Sequence, residues 1–173
     1  MLVAIAAGLL LVAGVLSAVA LGVTWASDNQ GGNTLAYKAT EFEVSGPGFA
    51  ASVDYTDDNA DDSDGIGLIR AGGPLLIVGL VFAFLAMAAL AVSLFVRGAH
   101  VTLGGASAAA LAALLLVLTV ILLPIGISQN ADEGGLDLAW GAGLYLGVFA
   151  AAMAIAAAAL GFLARFRPGS DLS

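Results

Sequence analysis

Long segments without ionisable side chains dominate the hydrophobic pattern of this chain. Four such segments occur, and none contains Asp, Glu, Lys, Arg or His. Each is longer than the roughly 20 apolar residues that a helix needs to cross about 30 Å of hydrocarbon. The pattern therefore predicts four transmembrane helices, at residues 1–27, 71–96, 101–129 and 138–164. We expect the first to be a retained span and not a signal peptide, because it lacks a basic start and its apolar run is too long.

The polar stretch between the first two spans, residues 28–70, carries a strand pattern. From Phe49 to Thr56, apolar side chains alternate with small or polar ones, which is typical of a half-buried strand. Ser45 to Gly48 supply turn residues before it. An upstream apolar series predicts a second strand, and its change of phase near Ala39 and Thr40 indicates a β-bulge. That series is Leu35, Tyr37, Phe42 and Val44.

The predicted fold is an all-α four-helix membrane bundle with a small antiparallel β hairpin or sheet in the first outer loop. A two-stranded hairpin alone is marginally stable in water. We therefore expect it to pair with further strands or to pack on the outer helix ends.

The few basic residues predict the orientation, because short cytoplasmic loops are enriched in Lys and Arg. Arg97 lies in the turn at residues 97–100, and Arg165 and Arg167 lie in the tail at residues 165–173. Twelve of the 13 acidic residues fall in residues 28–70 and in a short loop at residues 130–137. We expect a multi-pass protein of the cell membrane with both termini in the cytoplasm and these acidic loops outside.

Composition agrees with a lipid environment. Hydrophobic residues make up 61% of the chain and charged residues 10%, against about 25% charged in soluble proteins. The formal net charge is −8, so nucleic acid is not an expected partner. We interpret the excess of carboxylates as a hypothesis of a high-salt habitat, where self-repulsion is screened.

The spans offer no chemistry for catalysis or ion coupling. Transporters and pumps place ionisable groups inside the membrane, and these spans have none. His100 is the only histidine and cysteine is absent, so we predict no catalytic residue, cofactor or metal site. The acidic stretch around Asp62 and Gly65 partly resembles a calcium loop, but Ala60 and Ala71 stand at two of the ligand positions.

Small residues recur at every fourth position in two of the spans, which favours close helix packing in lipid. These rows are Gly14, Ala18 and Gly22 in the first span, and Gly143, Gly147 and Ala151 in the fourth. Trp25 and Trp140 lie at the outer ends of the same spans, where we expect them to anchor in the headgroup region.

Candidate interaction residues lie in the first outer loop. We expect Tyr37, Phe42, Phe49 and Tyr55 to pack the hairpin, and Arg70 to pair with an outer carboxylate near the membrane.

The layout resembles the claudin and peripheral-myelin-protein superfamily. Trp25, at the junction of the first span and the loop, resembles the tryptophan of the claudin signature. Arg70, in the sequence LIRAG before the second span, resembles the arginine found there in claudins. The Gly-Leu-Trp element and the paired loop cysteines of that family are absent. The resemblance implies a left-handed four-helix bundle under a small outer sheet, acting in cell-cell contact, lateral assembly or as an accessory subunit.

The expected function is therefore a non-enzymatic structural or interaction role, with the lipid bilayer, further copies of the chain or other membrane proteins as partners. The alternative is a small channel, or an accessory subunit of a transporter or respiratory complex, whose outer acids concentrate cations.

Overall fold

The computed structural model describes residues 1–55, 65–96 and 99–166, and in these ranges it contains four long helices. The helices are α1 (Leu2–Gly22), α2 (Ile66–Ser93), α3 (Ala99–Gly134) and α4 (Ala142–Phe166). Each contains an apolar stretch long enough to cross a membrane. The prediction of four long apolar helices is confirmed.

A five-stranded antiparallel sheet joins the helices at one end. Its strands are β1 (Ala26–Gln30), β2 (Asn33–Tyr37), β3 (Glu41–Gly46), β4 (Phe49–Asp54) and β5 (Ala139–Trp140), in the order β4-β3-β2-β1-β5. The predicted small antiparallel sheet is thus confirmed. Its β3–β4 hairpin turns at Pro47 and Gly48, where Gly48 has a φ of 87°.

The β-bulge expected near Ala39 and Thr40 is wrong. The chain reverses there, and β2 and β3 pair with each other, with Tyr37 opposite Phe42. The turn is closed by a hydrogen bond from the Lys38 backbone N–H to the carbonyl oxygen of Glu41, at 2.9 Å. The apolar series changes phase because it belongs to two strands and not to one strand with an extra residue.

Strand β1 begins within the predicted first span, and strand β5 lies at the start of the predicted fourth span. Helix α1 ends at Gly22, and Val23 takes an extended conformation that leads into β1. The β1–β2 hairpin turns at Gly31 and Gly32, both with positive φ, as a two-residue type I′ turn requires. Strand β5 pairs with β1 just before α4 begins.

Two helices are longer than the uncharged segments. Helix α2 begins at Ile66, so that Arg70 lies in its second turn. Helix α3 continues through Pro124 to Gly134 and has 36 residues, which corresponds to about 54 Å. Its last turns reach the sheet, where Asn130 accepts a hydrogen bond from Tyr37 of β2.

The helices contact one another in the cyclic order α1, α2, α3, α4, with α4 closing onto α1. Small and aliphatic side chains fill the contacts between them, in one cluster next to the sheet and a second towards the other end. Within the described helices, the buried polar side chains are Ser17 and Thr119. Each hydroxyl donates to a carbonyl oxygen of its own helix, Ala13 and Leu115 respectively, so neither is unsatisfied.

The Gly143 position tests how tightly α4 is packed. A methyl group added there would lie 2.5 Å from Cδ1 of Trp25, and this indole is fully buried and cannot move aside. We expect Gly143→Ala to lower the free energy of unfolding by about 1–3 kcal/mol, the usual cost of overpacking. Thermal unfolding in detergent, followed by circular dichroism, measures the change.

Gly8→Ala is the matched control. Gly8 also lies within a helix, but a methyl group there would meet no atom within 4 Å. Because alanine is the better helix former, this variant should unfold at the same temperature as the parent or higher. Equal destabilisation by both substitutions would contradict the packing described for Trp25.

Candidate functional site

Trp25 links the sheet to the helices. Its indole is fully buried, and its Nε1 donates to the carbonyl oxygen of Ala20 at 2.8 Å. The ring covers Gly143 and Gly147 of α4, where any larger side chain would collide with it. The ring is thus enclosed by protein and does not face the headgroup region, whereas Trp140 is 39% exposed.

The backbone of the same residue, immediately before β1, bonds to β2 and to the residue that follows β5. Its N–H donates to the carbonyl oxygen of Tyr37, and its carbonyl oxygen accepts from the N–H of Gly141, each at 2.7 Å. The carbonyl oxygen of Thr24 accepts from the N–H of Gly143 at 2.9 Å. The end of α1, β2 and the start of α4 are therefore held together by both backbone and side-chain contacts.

The sheet has one apolar and one polar face. Side chains that lie directly opposite in the register share a face, and the faces alternate along each strand. The polar face includes Ser27, Thr34, Glu41, Glu43, Ser45, Ser52 and Asp54. The apolar face includes Ala26, Leu35, Tyr37, Phe42, Val44, Ala51 and Val53, together with the carboxylate of Asp28.

Three of the four aromatic residues predicted to pack the hairpin come together on the apolar face. The rings of Phe42 and Tyr55 are 6.1 Å apart at an angle of 34°. Tyr37 pairs with Phe42 across β2 and β3, and its hydroxyl donates to Oδ1 of Asn130 in α3 at 2.8 Å. Phe49 lies apart from them at the β3–β4 turn and is 50% exposed.

Burial changes the titration of these phenols. It raises the pKa of Tyr55, whose hydroxyl is buried without a hydrogen-bond partner among the described residues. Burial also raises the pKa of Tyr37, and the nearby negative charge of Asp28 raises it further. Both phenols therefore favour the neutral form in the folded protein.

Arg70 and Gly73 place the start of α2 against the sheet. The Arg70 Nε donates to the carbonyl oxygen of Tyr55, immediately after β4. One turn later, Gly73 approaches the carbonyl oxygen of Ala39 so closely that an added methyl group would lie 2.5 Å from it. The pairing of Arg70 with an outer carboxylate stays a prediction.

The polar face carries a small charged group. Lys38 Nζ lies 2.9 Å from Glu41 and 3.1 Å from Glu43. Hydrogen bonds to these two carboxylates raise the pKa of Lys38. Together with Ala50 and Ser52, these side chains line a shallow depression of about 260 Å³.

A larger groove of about 430 Å³ lies beside the β1–β2 hairpin. Its walls are Asp28, Gly31, Asn33, Thr34, Leu35, Val44 and Leu136. Asp28 is only 7% exposed, and its Oδ1 accepts from the N–H of Asn29 at 2.7 Å. Its Oδ2 is buried and has no hydrogen-bond partner in the described ranges.

The two predicted rows of small residues face different surroundings. Gly14 contacts the ring of Phe84 in α2, whereas Ala18 and Gly22 are exposed on α1. Gly143 and Gly147 contact Trp25, Gly147 also approaches Val120 of α3, and Ala151 is buried in the core. The row on α4 is therefore internal, and two of the three residues of the row on α1 are exposed.

The sequence pattern identifies Asp28 only as one of the acidic residues of the first outer loop and does not predict its burial. A local signal was available, because the Gly31-Gly32 dipeptide is typical of a two-residue hairpin and would have put Asp28 in a strand. Asn130, which the sequence placed in the outer loop, is the α3 residue that binds Tyr37. No local pattern marks that long-range contact.

Within residues 1–55, 65–96 and 99–166, no three His, Asp or Glu side chains form a group that could hold a metal ion. Residues 60–64 of the stretch compared with a calcium loop lie outside these ranges. No protein-family model matches the chain, and no curated protein sequence is significantly similar to it.

Replacing each of the two buried tyrosines with phenylalanine should change the stability of the protein in opposite directions. Tyr55→Phe removes a buried hydroxyl that lacks a partner and keeps the ring against Phe42, so we expect a gain of about 1 kcal/mol in stability. Tyr37→Phe removes the hydrogen bond to Asn130 and should cost about 1 kcal/mol. Chemical unfolding in detergent measures both, and a loss of stability in Tyr55→Phe would contradict the environment described for its hydroxyl.

Alkaline pH should destabilise the protein through the same groups. The raised pKa values of Tyr37 and Tyr55 mean that the folded state keeps two protons that the unfolded state releases near pH 10.0. Their contribution is complete below about pH 10 and is lost as the pH rises further. The melting temperature should fall from pH 9.5 to about 11.5, and less steeply in Tyr55→Phe. A parallel decline in the parent and the variant would contradict this origin.

Proposed function

We propose that this chain is a non-enzymatic multi-pass membrane protein that holds an acidic β-sheet at the outer surface of the cell membrane for interaction with neighbouring proteins. The observation that carries the proposal is the attachment of the sheet to all four helices. Trp25 connects it to α1 and α4, Arg70 to α2, and Asn130 to α3. A sheet fixed in this way presents a constant surface to a partner.

The apolar character of the helix contacts supports a structural role. The buried side chains between the described helices are aliphatic, apart from two hydroxyls that bond within their own helices. Ion pathways through membranes need polar or charged linings. The arrangement therefore favours a scaffold over a channel or carrier.

The placement in the membrane follows from the charges of the loops. The sheet lies at the end of the helices where α1 ends and α2 begins, and it carries Asp28, Glu41, Glu43 and Asp54 of the first loop. The junction of α2 and α3 and the end of α4 carry Arg97, Arg165 and Arg167 in sequence. By the positive-inside rule, the four helices form a transmembrane bundle with the sheet outside and both termini in the cytoplasm.

A claudin-like mode of action is part of the proposal. A four-helix bundle under a small outer sheet, with Trp25 at the first junction, is the layout that the resemblance implies. We propose lateral assembly, either with further copies or with another membrane protein. The exposed small residues Ala18 and Gly22 of α1 would allow a partner helix to approach closely.

The high-salt hypothesis is compatible with the outer surface. Glu41 and Glu43 both contact Lys38 on the polar face, and Asp132 and Asp137 are exposed. Repulsion among such carboxylates weakens as the Debye length falls to about 3 Å at 1 M salt.

An accessory subunit of a transporter or respiratory complex is the alternative. Such a subunit would use the same lateral contacts, and only the identity of the partner would differ.

Lateral assembly is tested by enlarging a small side chain on the exposed face of α1. We expect Ala18→Leu to weaken association several-fold, because the larger side chain separates the helix backbones. Cross-linking in the native membrane, followed by mass determination of the purified complex in detergent, measures the assembled fraction. Ala88→Leu, at an exposed alanine of α2, is the matched control and should assemble like the parent.

The composition of the purified complex separates the alternatives. Copies of the chain alone would support self-assembly, and one stoichiometric partner would support an accessory subunit. A parent protein that stays monomeric in the native membrane without any partner, or equal assembly of Ala18→Leu, would contradict the proposed interaction role. Conductance of the reconstituted protein would instead favour a channel.

A further inference from the structure

Asp28 carries a nearly buried carboxylate at the sheet end of the protein, and no described cation pairs with it. Asp28 is 7% exposed, and its Oδ2 has no hydrogen-bond partner in the described ranges. Burying an ionised carboxylate costs free energy unless it is paired with a cation or fully hydrogen-bonded. Oδ1 accepts one hydrogen bond, from the N–H of Asn29. An ionised carboxylate can accept about four, so most of the acceptor positions of Asp28 are unused.

The two cations described near the sheet bond to groups other than Asp28. The chain has only five Lys and Arg residues. Lys38 is held between Glu41 and Glu43, and Arg70 bonds to the backbone of Tyr55. The other three occur in sequence at the α2–α3 junction and at the end of α4, which are the helix ends remote from the sheet. Neither of the two described cations near the sheet pairs with Asp28, so a cation from outside the chain is the counter-charge we consider.

The groove beside Asp28 has room for more than an ion. Its volume of about 430 Å³ lies within the range of small-molecule sites, about 300–1,000 Å³. Three aliphatic residues, Leu35, Val44 and Leu136, line it together with Asn33 and Thr34. One buried carboxylate beside an aliphatic wall is complementary to a cation that carries an apolar group.

We propose that this groove binds a small organic cation, an alkylammonium ion whose charged group lies against Asp28 and whose alkyl chain contacts Leu35, Val44 and Leu136. A bare metal ion fits less well. Calcium takes six to eight oxygen ligands, often from several carboxylates, and no group of three acidic or histidine side chains occurs in the described ranges. The site is independent of lateral assembly, because none of its residues lies on the exposed face of α1.

n-Butylammonium chloride is the probe, added to the detergent-solubilised full chain. Ligand that binds only the folded state raises the melting temperature. At saturating concentration we expect a rise of about 2–4 °C over the same concentration of sodium chloride. Isothermal titration calorimetry gives the dissociation constant. An equal rise with sodium or calcium chloride would mean a metal site, and an equal rise with 1-butanol would mean apolar contact alone; either result would overturn the proposal.

Asp28→Asn should weaken butylammonium binding at least about tenfold, the usual effect of losing one charged hydrogen-bond partner. Without ligand, this variant should melt no lower than the parent, because it removes an unpaired buried charge. Asp137→Asn is the matched control: it removes an exposed carboxylate next to Leu136 in sequence and should change binding less than about twofold. Parent-like binding by Asp28→Asn would overturn the proposal.

Leu136→Ala tests the apolar part of the groove and leaves Asp28 in place, so it remains informative if Asp28→Asn does not fold. The parent should bind butylammonium more tightly than methylammonium, because each buried CH₂ adds to affinity. In Leu136→Ala this preference should shrink about threefold or more, with methylammonium binding unchanged. An unaltered preference would contradict the assigned position of the alkyl chain.

Discussion

Trp25 is enclosed at the point where α1 gives way to the sheet, and its contacts fix the relative positions of α1, β2 and α4. The indole covers two glycines of α4, and its Nε1 satisfies the carbonyl oxygen of Ala20 near the end of α1. The Trp25 side chain thus contributes both a large aromatic contact surface and a hydrogen-bond donor. The glycines at positions 143 and 147 are required by this ring, so that the small-residue row of α4 and the first tryptophan of the chain form one packing unit.

Backbone hydrogen bonding explains why a sheet follows directly on the helices. The last carbonyl groups of a helix lack partners within it, and buried backbone groups must find others. The chain after Gly22 becomes extended at once, and the carbonyl oxygens of Thr24 and Trp25 accept from the N–H groups of Gly143 and Gly141. At the end of α1, the carbonyl oxygen of Ala20 accepts from Nε1 of Trp25, and at the start of α4 the N–H of Gly143 donates to Thr24. The segment after α1 therefore supplies partners to both helix ends, and the pairing of β1 with β5 follows directly from it.

Sequence patterns predicted the elements whose signal is local. The alternation from Phe49 to Tyr55 identified β4 and its turn, and uncharged length identified all four helices. The strand pair β2 and β3 was misinterpreted as one bulged strand, because a phase change looks the same for a bulge and for a tight turn. Strand β5 has two residues, which is too short for any periodicity, and its pairing with β1 is set by Trp25 and not by its own sequence. The burial of Asp28 depends equally on distant residues, since Leu136 lines the same groove from the other outer loop.

The helices and the sheet differ in how completely their buried polar groups are satisfied. Between the described helices, both buried hydroxyls have acceptors within their own helix. In the sheet, the carboxylate of Asp28 and the hydroxyl of Tyr55 each have a buried oxygen without a partner in the described ranges. Apolar side chains at these two positions would avoid that cost, and nothing in the neighbouring packing of Leu35 or Phe42 requires a polar atom there. Sequences depart from such local rules mainly where function demands it, so the apolar face of the sheet, and not the helix interior, is where selective binding is most to be expected.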